Sequence, residues 1–456
     1  MDRVRRTRRT PLAGAAALGL LAWLAWLPGT AYAAPAAGPT GGPSAGNSAP
    51  GGALPAYRPA DGAKPVRGAP STADAPLLET GTPYEDALAP GERFYRLGLD
   101  DASSVYVSAV LRPPAGARVG YGDDLKVEVM TSGGRSCPDN PGRASFGYDP
   151  VPLGAVGLRR LAEDAECQGA GTYYAKVTRT AGKDSDRAGW PVELLVMREP
   201  APAAGTAPTA APSVWPSASP TLPGTDPVAR TGGTGFNDAR ALGPGVWRDD
   251  LRPGQTRFYR VPVDWGQQLA VGAEAAKARM TKDYGSASNG LTVSVYSPYR
   301  GLVDTGSTSY DGKQAAVTLP KTAPVAYENR FSRADEVGPV RLAGWYYVAV
   351  TLAGKVGEFT EDATPVPLTL RLDLSGAPAK GPAYREGLAA AGFGVGAAER
   401  SAAKEGLTAP EAAAARDDAS AMRVVAGAGF GTGTLLLLVL GVWTLLARRG
   451  AARTAS

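Results

Sequence analysis

A short stretch occurs twice in the chain, and no other feature limits the fold as strongly. One copy is Leu251-Arg252-Pro253-Gly254-Gln255-Thr256-Arg257-Phe258-Tyr259-Arg260-Val261. The other, one residue shorter at the turn, is Leu88-Ala89-Pro90-Gly91-Glu92-Arg93-Phe94-Tyr95-Arg96-Leu97. Each reads as a Pro-Gly turn feeding a strand, since the turn residues set the reversal and the aromatic pair suits a pleated, half-buried surface. Three more anchors recur in the same order. Leu125-Lys-Val-Glu-Val matches Leu291-Thr-Val-Ser-Val, Gly171-Thr-Tyr-Tyr174 matches Gly344-Trp-Tyr-Tyr347, and Pro191-Val-Glu-Leu194 matches Pro365-Val-Pro-Leu368.

Four ordered matches indicate one fold used twice. Short strands, Gly/Pro turns and almost no helical period predict an all-β chain of two tandem β-sandwich, jelly-roll-like modules. The first is expected over 77–199, with strands at 94–99, 104–111, 125–131, 171–178 and 192–197. The second is expected over 232–375, with strands at 245–249, 256–262, 268–274, 291–296, 314–319, 344–352 and 366–374. Either is long enough to bury a core of its own.

The flanks differ in composition. Residues 34–76 are rich in Ala, Pro and Gly and predict a disordered leader, because they bury too little apolar surface to offset ordering entropy. Residues 200–231 carry regular prolines and predict an extended spacer. Residues 376–422 predict an Ala/Gly-rich stalk, partly helical. Thr408-Ala-Pro-Glu411 is a capping box with proline in the first turn, so a helix from Pro410 toward Met422 is expected.

Both ends read as membrane signals. Arg3, Arg5, Arg6, Arg8 and Arg9 precede an apolar run from Leu12 to Leu27 and then Ala31-Tyr32-Ala33, the pattern of a secretory signal peptide ending at residue 33. Arg8-Arg9 leaves general and twin-arginine export both open. The run from Val424 to Ala447 is long enough for one transmembrane helix. The arginines behind it, in a tail at 448–456, place the C-terminus in the cytoplasm and the globular part outside. Gly427-x-x-x-Gly431 and Gly429-x-x-x-Gly433 are small-residue faces suited to close helix association. The formal charge of +5 is carried by these terminal arginines, so the exported part offers no basic surface for nucleic acid.

Chemistry is sparsely signalled. Cys137 and Cys167 form an even pair in an exported chain and predict one disulfide; a redox pair would need the close Cys-x-x-Cys spacing that is absent. The chain has no histidine, which excludes Ser-His-Asp and Cys-His catalysis and the commonest zinc sites. The pairs Asp100-Asp101, Asp123-Asp124 and Asp249-Asp250 read as solvated turns, since neighbouring strand residues point to opposite faces. No cofactor is expected and no metal site is assigned; calcium in a loop near Asp123-Asp124 stays open, without an ordered ligand ladder to mark it. Trp265, Tyr296, Tyr299 and Tyr310 fall in or near loops and are candidate ligand-facing aromatics, with capping of the sandwich ends as the plainer alternative.

The run from Ala239 through Leu-Gly-Pro-Gly-Val-Trp to Pro253-Gly254, then Phe258-Tyr-Arg-Val, Leu291-Thr-Val-Ser-Val-Tyr296 and Gly344-Trp-Tyr-Tyr-Val-Ala-Val350, resembles the bacterial pre-peptidase C-terminal domain. The resemblance is clearer in the second module. It implies a small exported β-sandwich of the kind appended to secreted proteases and other surface proteins, associated with binding polymeric substrates or assisting secretion. One position departs from that family: Arg257 and Arg93 stand where it carries an acidic residue before the aromatic strand.

These features together predict a non-catalytic, single-pass cell-surface protein whose sandwiches bind extracellular polymer or protein. The alternative is an accessory subunit of a membrane or secretion complex, joined through its helix.

Overall fold

In the computed structural model, residues 54–452 are described apart from 115, 121, 138–141, 148, 162–165, 206–213, 216–217, 219 and 362–363. The expected signal peptide, the leader before residue 54 and the last four residues lie outside them. The first module contains β1 (Lys64–Pro65), β2 (Pro83–Leu88), β3 (Gly91–Leu99), β4 (Ser104–Leu111), β5 (Asp124–Thr131), β6 (Gly142–Ser145), β7 (Leu153–Arg159), β8 (Gly171–Thr180) and β9 (Trp190–Glu199). They form two sheets, β1-β2-β9-β4-β7 and β3-β8-β5-β6. The second contains β10 (Val228–Ala229), β11 (Arg240–Ala241), β12 (Gly245–Leu251), β13 (Thr256–Val263), β14 (Gln268–Ala275), β15 (Ala287–Tyr296), β16 (Leu302–Tyr310), β17 (Ala315–Thr318), β18 (Gly344–Leu352) and β19 (Val366–Ser375). Its sheets are β10-β12-β19-β14-β17 and β11-β13-β18-β15-β16. Apart from β11, which the first module matches only with the isolated bridge between Leu77 and Arg96, the strand orders correspond one to one, so the chain is built of duplicated β-sandwich modules.

Alternation fills each core. Leu97, Val107, Leu125, Val127, Val177 and Leu194 are buried in the first, and Val261, Leu291, Val293, Tyr346, Val348 and Leu370 in the second. The sequence does not predict β2, β6, β7 and β16, nor the two-residue strands β1, β10 and β11. β7 hides behind its glycines, and Gly157 is needed there: a Cβ would lie 2.9 Å from Val127 Cγ1 and carbonyl O on β5. β16 hides because Asp304, Thr305, Ser307 and Ser309 give it a polar composition. The register also corrects one anchor. Leu88 pairs with Trp190 and Leu251 with Val366, so Pro191 corresponds to Pro367 and not to Pro365.

The recurring Phe-Tyr strand holds a device the sequence does not announce. Tyr95 OH donates to Asp86 Oδ2 at 2.7 Å, and Gly68 N donates to the same oxygen at 2.7 Å. Tyr259 OH and Gly232 N reach Asp249 Oδ2 at the same two distances. Burial, and then the Asp249 charge, push the Tyr259 phenol well above its usual range, so it stays a donor. Asp249 is therefore a buried acceptor and not part of a solvated turn. Asp123 and Asp124 are buried as well: Asp123 accepts from Ser185 Oγ at 2.6 Å and Asp124 pairs with Arg143 at 2.6 Å.

The flanking segments are also folded where described. β1 pairs in parallel with β2, and Ala69 and Ala75 are buried. In the spacer, Pro202 bridges to Tyr384 and β10 pairs with β12. In the expected stalk, α1 (Ala397–Glu405) and the start of α2 (Ala409–Ala452) lie on the second module, with Phe393, Ala402 and Ala403 buried. The capping box forms as read, with Thr408 N donating to Glu411 Oε2 at 2.7 Å and Glu411 N to Thr408 Oγ1 at 3.4 Å. Cys137 and Cys167 are joined, with 5.7 Å between their Cα atoms, and clip the end of β5 to the approach to β8.

The membrane span expected over 424–447 is not shown. Among the described residues no helix is long and apolar enough to cross a membrane. α2 contains the run 424–447, but within it side chains are described only for 433–446.

The Asp–Tyr–Gly device predicts a specific intolerance. A Cβ at Gly232 would lie 2.8 Å from Tyr259 Cζ, whereas nothing lies within 4 Å of one at Gly243. Gly232→Ala is expected to cost about 1–3 kcal/mol as overpacking, and Gly243→Ala close to nothing. Urea unfolding of the two variants of the full chain in detergent measures the difference; equal midpoints would refute the role given to Gly232.

Candidate functional site

The two modules are packed face to face. On β4 and β9, residues alternating away from the first module's own core meet the second module: Tyr106, Ser108 and Val110 on β4, Glu193 and Glu199 on β9. β4 is buried along its whole length because both of its faces are covered. From the second module come Phe236, the outer face of β13 and β18 (Phe258, Tyr347, Ala349), the β15–β16 hairpin and the 3-10 turn Tyr327–Phe331.

Two buried carboxylates organise this junction. Glu193 receives Arg300 Nη1 at 2.6 Å, Asn237 Nδ2 at 2.8 Å and Ala60 N at 2.9 Å. Arg300 Nη2 donates in turn to Asn237 Oδ1 at 2.7 Å. Glu199 receives Arg330 Nη2 at 2.6 Å, Tyr106 OH at 2.7 Å and Tyr384 OH at 3.0 Å. The Arg330 guanidinium stands 3.4 Å above the Tyr327 ring. Between the two pairs Tyr106 stacks on Tyr299 with centroids 4.1 Å apart, and Phe393 meets Tyr106 edge-on at 6.2 Å.

The electrostatics follow from burial. Burial alone would lower Arg330, but Glu199 and the neighbouring tyrosines outweigh it and raise it. Arg300 is raised against its burial in the same way by Tyr57 and Glu193. Burial pushes the Tyr106 phenol well up, and Glu199 adds to the effect. The arginines therefore stay cationic and the tyrosine neutral over any ordinary pH.

Arg300 sits in the left-handed region at φ 66°. The equivalent turn position in the first module is Gly134, at φ 83°. The hydrogen bonds identify the two turns: Arg300 N donates to Ser297 O at 2.8 Å, and Gly134 N to Thr131 O at 3.0 Å. Glycine adopts this conformation without steric cost. Here an arginine occupies it, and its side chain reaches Glu193.

The four aromatics singled out by sequence do not form a platform. Trp265 and Tyr310 belong to the second module's core, Tyr310 donating to Ala276 O at 2.6 Å with its phenol pushed up to about 12 by burial. Tyr299 lies under Tyr106, and half-buried Tyr296 packs edge-on against Phe236 at 5.2 Å. Their hydrophobicity is spent within the fold and the junction, and among the described residues the exposed aromatics are Tyr284 and Trp443. Of the glycine faces, the side-chain positions of Gly427, Gly429 and Gly431 lie outside the described residues; at Gly433 nothing lies within 4 Å of a Cβ. The junction residues were missed because their signal lies in the differences between the modules: Arg300 against Gly134, Phe236 against Thr72.

Beside Glu199 the junction opens as a cleft of about 360 Å³, lined by Asp101, Ser104, Leu161, Pro202, Tyr327 and Arg385 among others. Among the described residues no group of three or more acidic or cysteine side chains could hold a metal ion.

No family model and no curated protein matches this chain. Among solved structures, it is similar to the pre-peptidase C-terminal domain of a collagenase from Bacillus anthracis, at 15% identity over 27% of this chain and 94% of that one, with a TM-score of 0.18. It is also similar to the tandem CBM22 domains of Xyn10C from Paenibacillus barcinonensis, at 12% identity over 65% of this chain and 86% of that one, with a TM-score of 0.17. The CUB1-EGF-CUB2 region of human MASP-1/3 aligns at 7% identity over 64% of this chain and 99% of that one, with a TM-score of 0.17. Likeness at these scores carries no functional conclusion.

The junction makes its own prediction. Arg300→Gly relaxes the backbone by about 1 kcal/mol but leaves Glu193 buried without its cation, a loss of roughly 3–5 kcal/mol. The variant is expected to be less stable, and Glu193→Gln in the same chain to restore part of the loss. A double-mutant cycle by urea unfolding checks this; additive effects would show that the pair does not couple the modules.

Proposed function

We propose that this is a non-catalytic cell-surface protein whose two sandwiches act as a single rigid head for extracellular polymer or protein, with α2 as its membrane anchor. The observation that carries the anchor is the exposure of α2. Leu435, Leu436, Leu437, Leu438, Val439, Leu440, Val442, Trp443, Leu445 and Leu446 are all exposed, the least of them, Leu440, at 53%. A helix in water keeps a polar face; one that is apolar all round is covered by lipid or by other helices. Arg448 and Arg449 follow directly, on the side expected to be cytoplasmic.

A second reading, an accessory subunit joined to a membrane complex through α2, is favoured by the burial of the aromatics expected to face a ligand. It shares the anchor with the first and differs in the surface that makes the contact.

Alkaline carbonate extraction of native membranes tests the anchor. The unaltered chain is expected in the pellet, and the variant carrying both Leu437→Arg and Leu440→Arg in the supernatant, since each central arginine costs about 2.5–3.5 kcal/mol on insertion scales. Recovery of both proteins in the pellet would remove the anchor from this reading. Affinity capture of the intact chain from detergent-solubilised membranes then separates the two readings, by retention of a wall polymer or of a co-purifying membrane protein.

A further inference from the structure

Four strands of the second module carry a row of hydroxyls across one outer sheet face. Thr256 on β13 lies opposite Thr351 on β18, Thr351 opposite Thr292 on β15, and Thr292 opposite Ser307 on β16. Ser294 and Thr305 form a shorter second row beside it. The alternate residues Tyr259, Val350 and Val293 point into the core, so these hydroxyls face outward.

Thr256 Oγ1 and Thr351 Oγ1 lie 2.9 Å apart, as do Ser294 Oγ and Thr305 Oγ1. Ser307 Oγ donates to Asn289 Oδ1 at 3.0 Å. Thr292, in the middle, is half-buried and its hydroxyl has no partner among the described residues. The strands that carry the row are spaced about 4.8 Å apart.

The corresponding row in the first module is Glu92, Thr178, Lys126 and Arg143. It is laced with ion pairs: Lys176–Glu92, Lys126–Glu128 and Arg143–Asp124. The uncharged row is therefore a property of the second module and not of the fold. It also continues into the junction, because Phe258 and Ala349 on the same strands are the residues that the first module covers.

We propose that this face binds a neutral, extended glycan lying across the strands. This inference rests on the surface-binding reading above. A hydroxyl both donates and accepts, so a row of them can exchange paired hydrogen bonds with the successive hydroxyls of a sugar chain. The rows contain no ionised side chain to recruit a charged polymer. With no exposed aromatic among them, each site is weak, and binding depends on the polymer's repeat.

The test is co-sedimentation of the intact chain in detergent with insoluble cellulose, chitin and starch, and with calcium pectate as the anionic comparison. The variant carrying Thr292→Lys and Ser307→Arg places the first module's own residues on the second module's face. Retention on at least one neutral polymer is expected, with a loss of about tenfold in the variant, the equivalent of 1.4 kcal/mol, and no loss in Thr292→Ser. Lys126→Ala in the first module is expected to bind as the unaltered chain does. Equal retention of the unaltered chain and a double variant with unchanged urea midpoint would overturn the assignment of this face while leaving polymer binding intact. Retention on pectate alone would overturn it as well. If the unaltered chain is retained on no polymer and captures no protein from membranes, the surface-binding reading fails along with it.

Discussion

Two carboxylates on a single strand, Glu193 and Glu199, govern how this molecule is assembled. An ionised carboxylate taken out of water costs several kcal/mol unless a cation and hydrogen bonds replace its hydration. Neither glutamate finds its cation within its own module. Arg300, Asn237 and Arg330 all come from the second module, and Tyr384 from the segment beyond it. An undocked first module would expose both charges to water together with Tyr106 and Val110. Apolar packing of Tyr106 on Tyr299 provides the contact area. The two ion pairs fix its orientation, since each tolerates only a narrow range of positions.

The duplicated fold makes this docking asymmetric. The second sheet of one module lies on the first sheet of the other, a head-to-tail contact of a kind that can in principle repeat without limit. The residues at the two outer faces do not reproduce the junction. Where the second module presents Ala349, the first carries Lys176, which pairs with Glu128 at 2.9 Å. Where the first module presents Glu193 and Glu199, the second carries Thr369 and Ser375. Leu222 of the spacer also lies over Gly272 on that sheet. The duplicates have thus diverged into one mating pair of faces and two that do not mate.

Much of the fold was legible in the sequence because its signals are local. The Pro-Gly turns, the Phe-Tyr strands, the Thr408–Glu411 capping box and the cysteine pair each declare themselves within a few residues. What was not legible depends on pairing across long separations. Tyr299 looks like a loop aromatic until Tyr106 is found beneath it. Arg300 looks like a solvated turn residue until the conformation it shares with Gly134 is seen. The segments at 54–76 and 376–422 looked unstructured because alanine, glycine and proline have little to bury. Their few larger or polar residues, Tyr57, Phe393 and Tyr384, nonetheless carry the contacts.

The last of these segments determines how the head stands on its helix. A flexible stalk would let the sandwiches swing about the base of α2. Tyr384 instead bonds Glu199 at the junction, Phe393 packs against Tyr106, and Arg400 of α1 pairs with Asp264 at 2.7 Å. Gly406, at φ 75°, ends α1 in a left-handed residue and turns the chain into the capped start of α2. There Glu411 pairs with Arg240 at 2.7 Å, which ties the first turn of α2 to the sheet of the second module. Burial works against the Glu411 charge, but the Thr408 backbone N–H and Arg240 outweigh it and hold the carboxyl below its usual range. The lowered carboxyl keeps the tie ionised around neutral pH. The hydroxyl face and the junction cleft consequently hold a set direction relative to the axis on which α2 leaves the head.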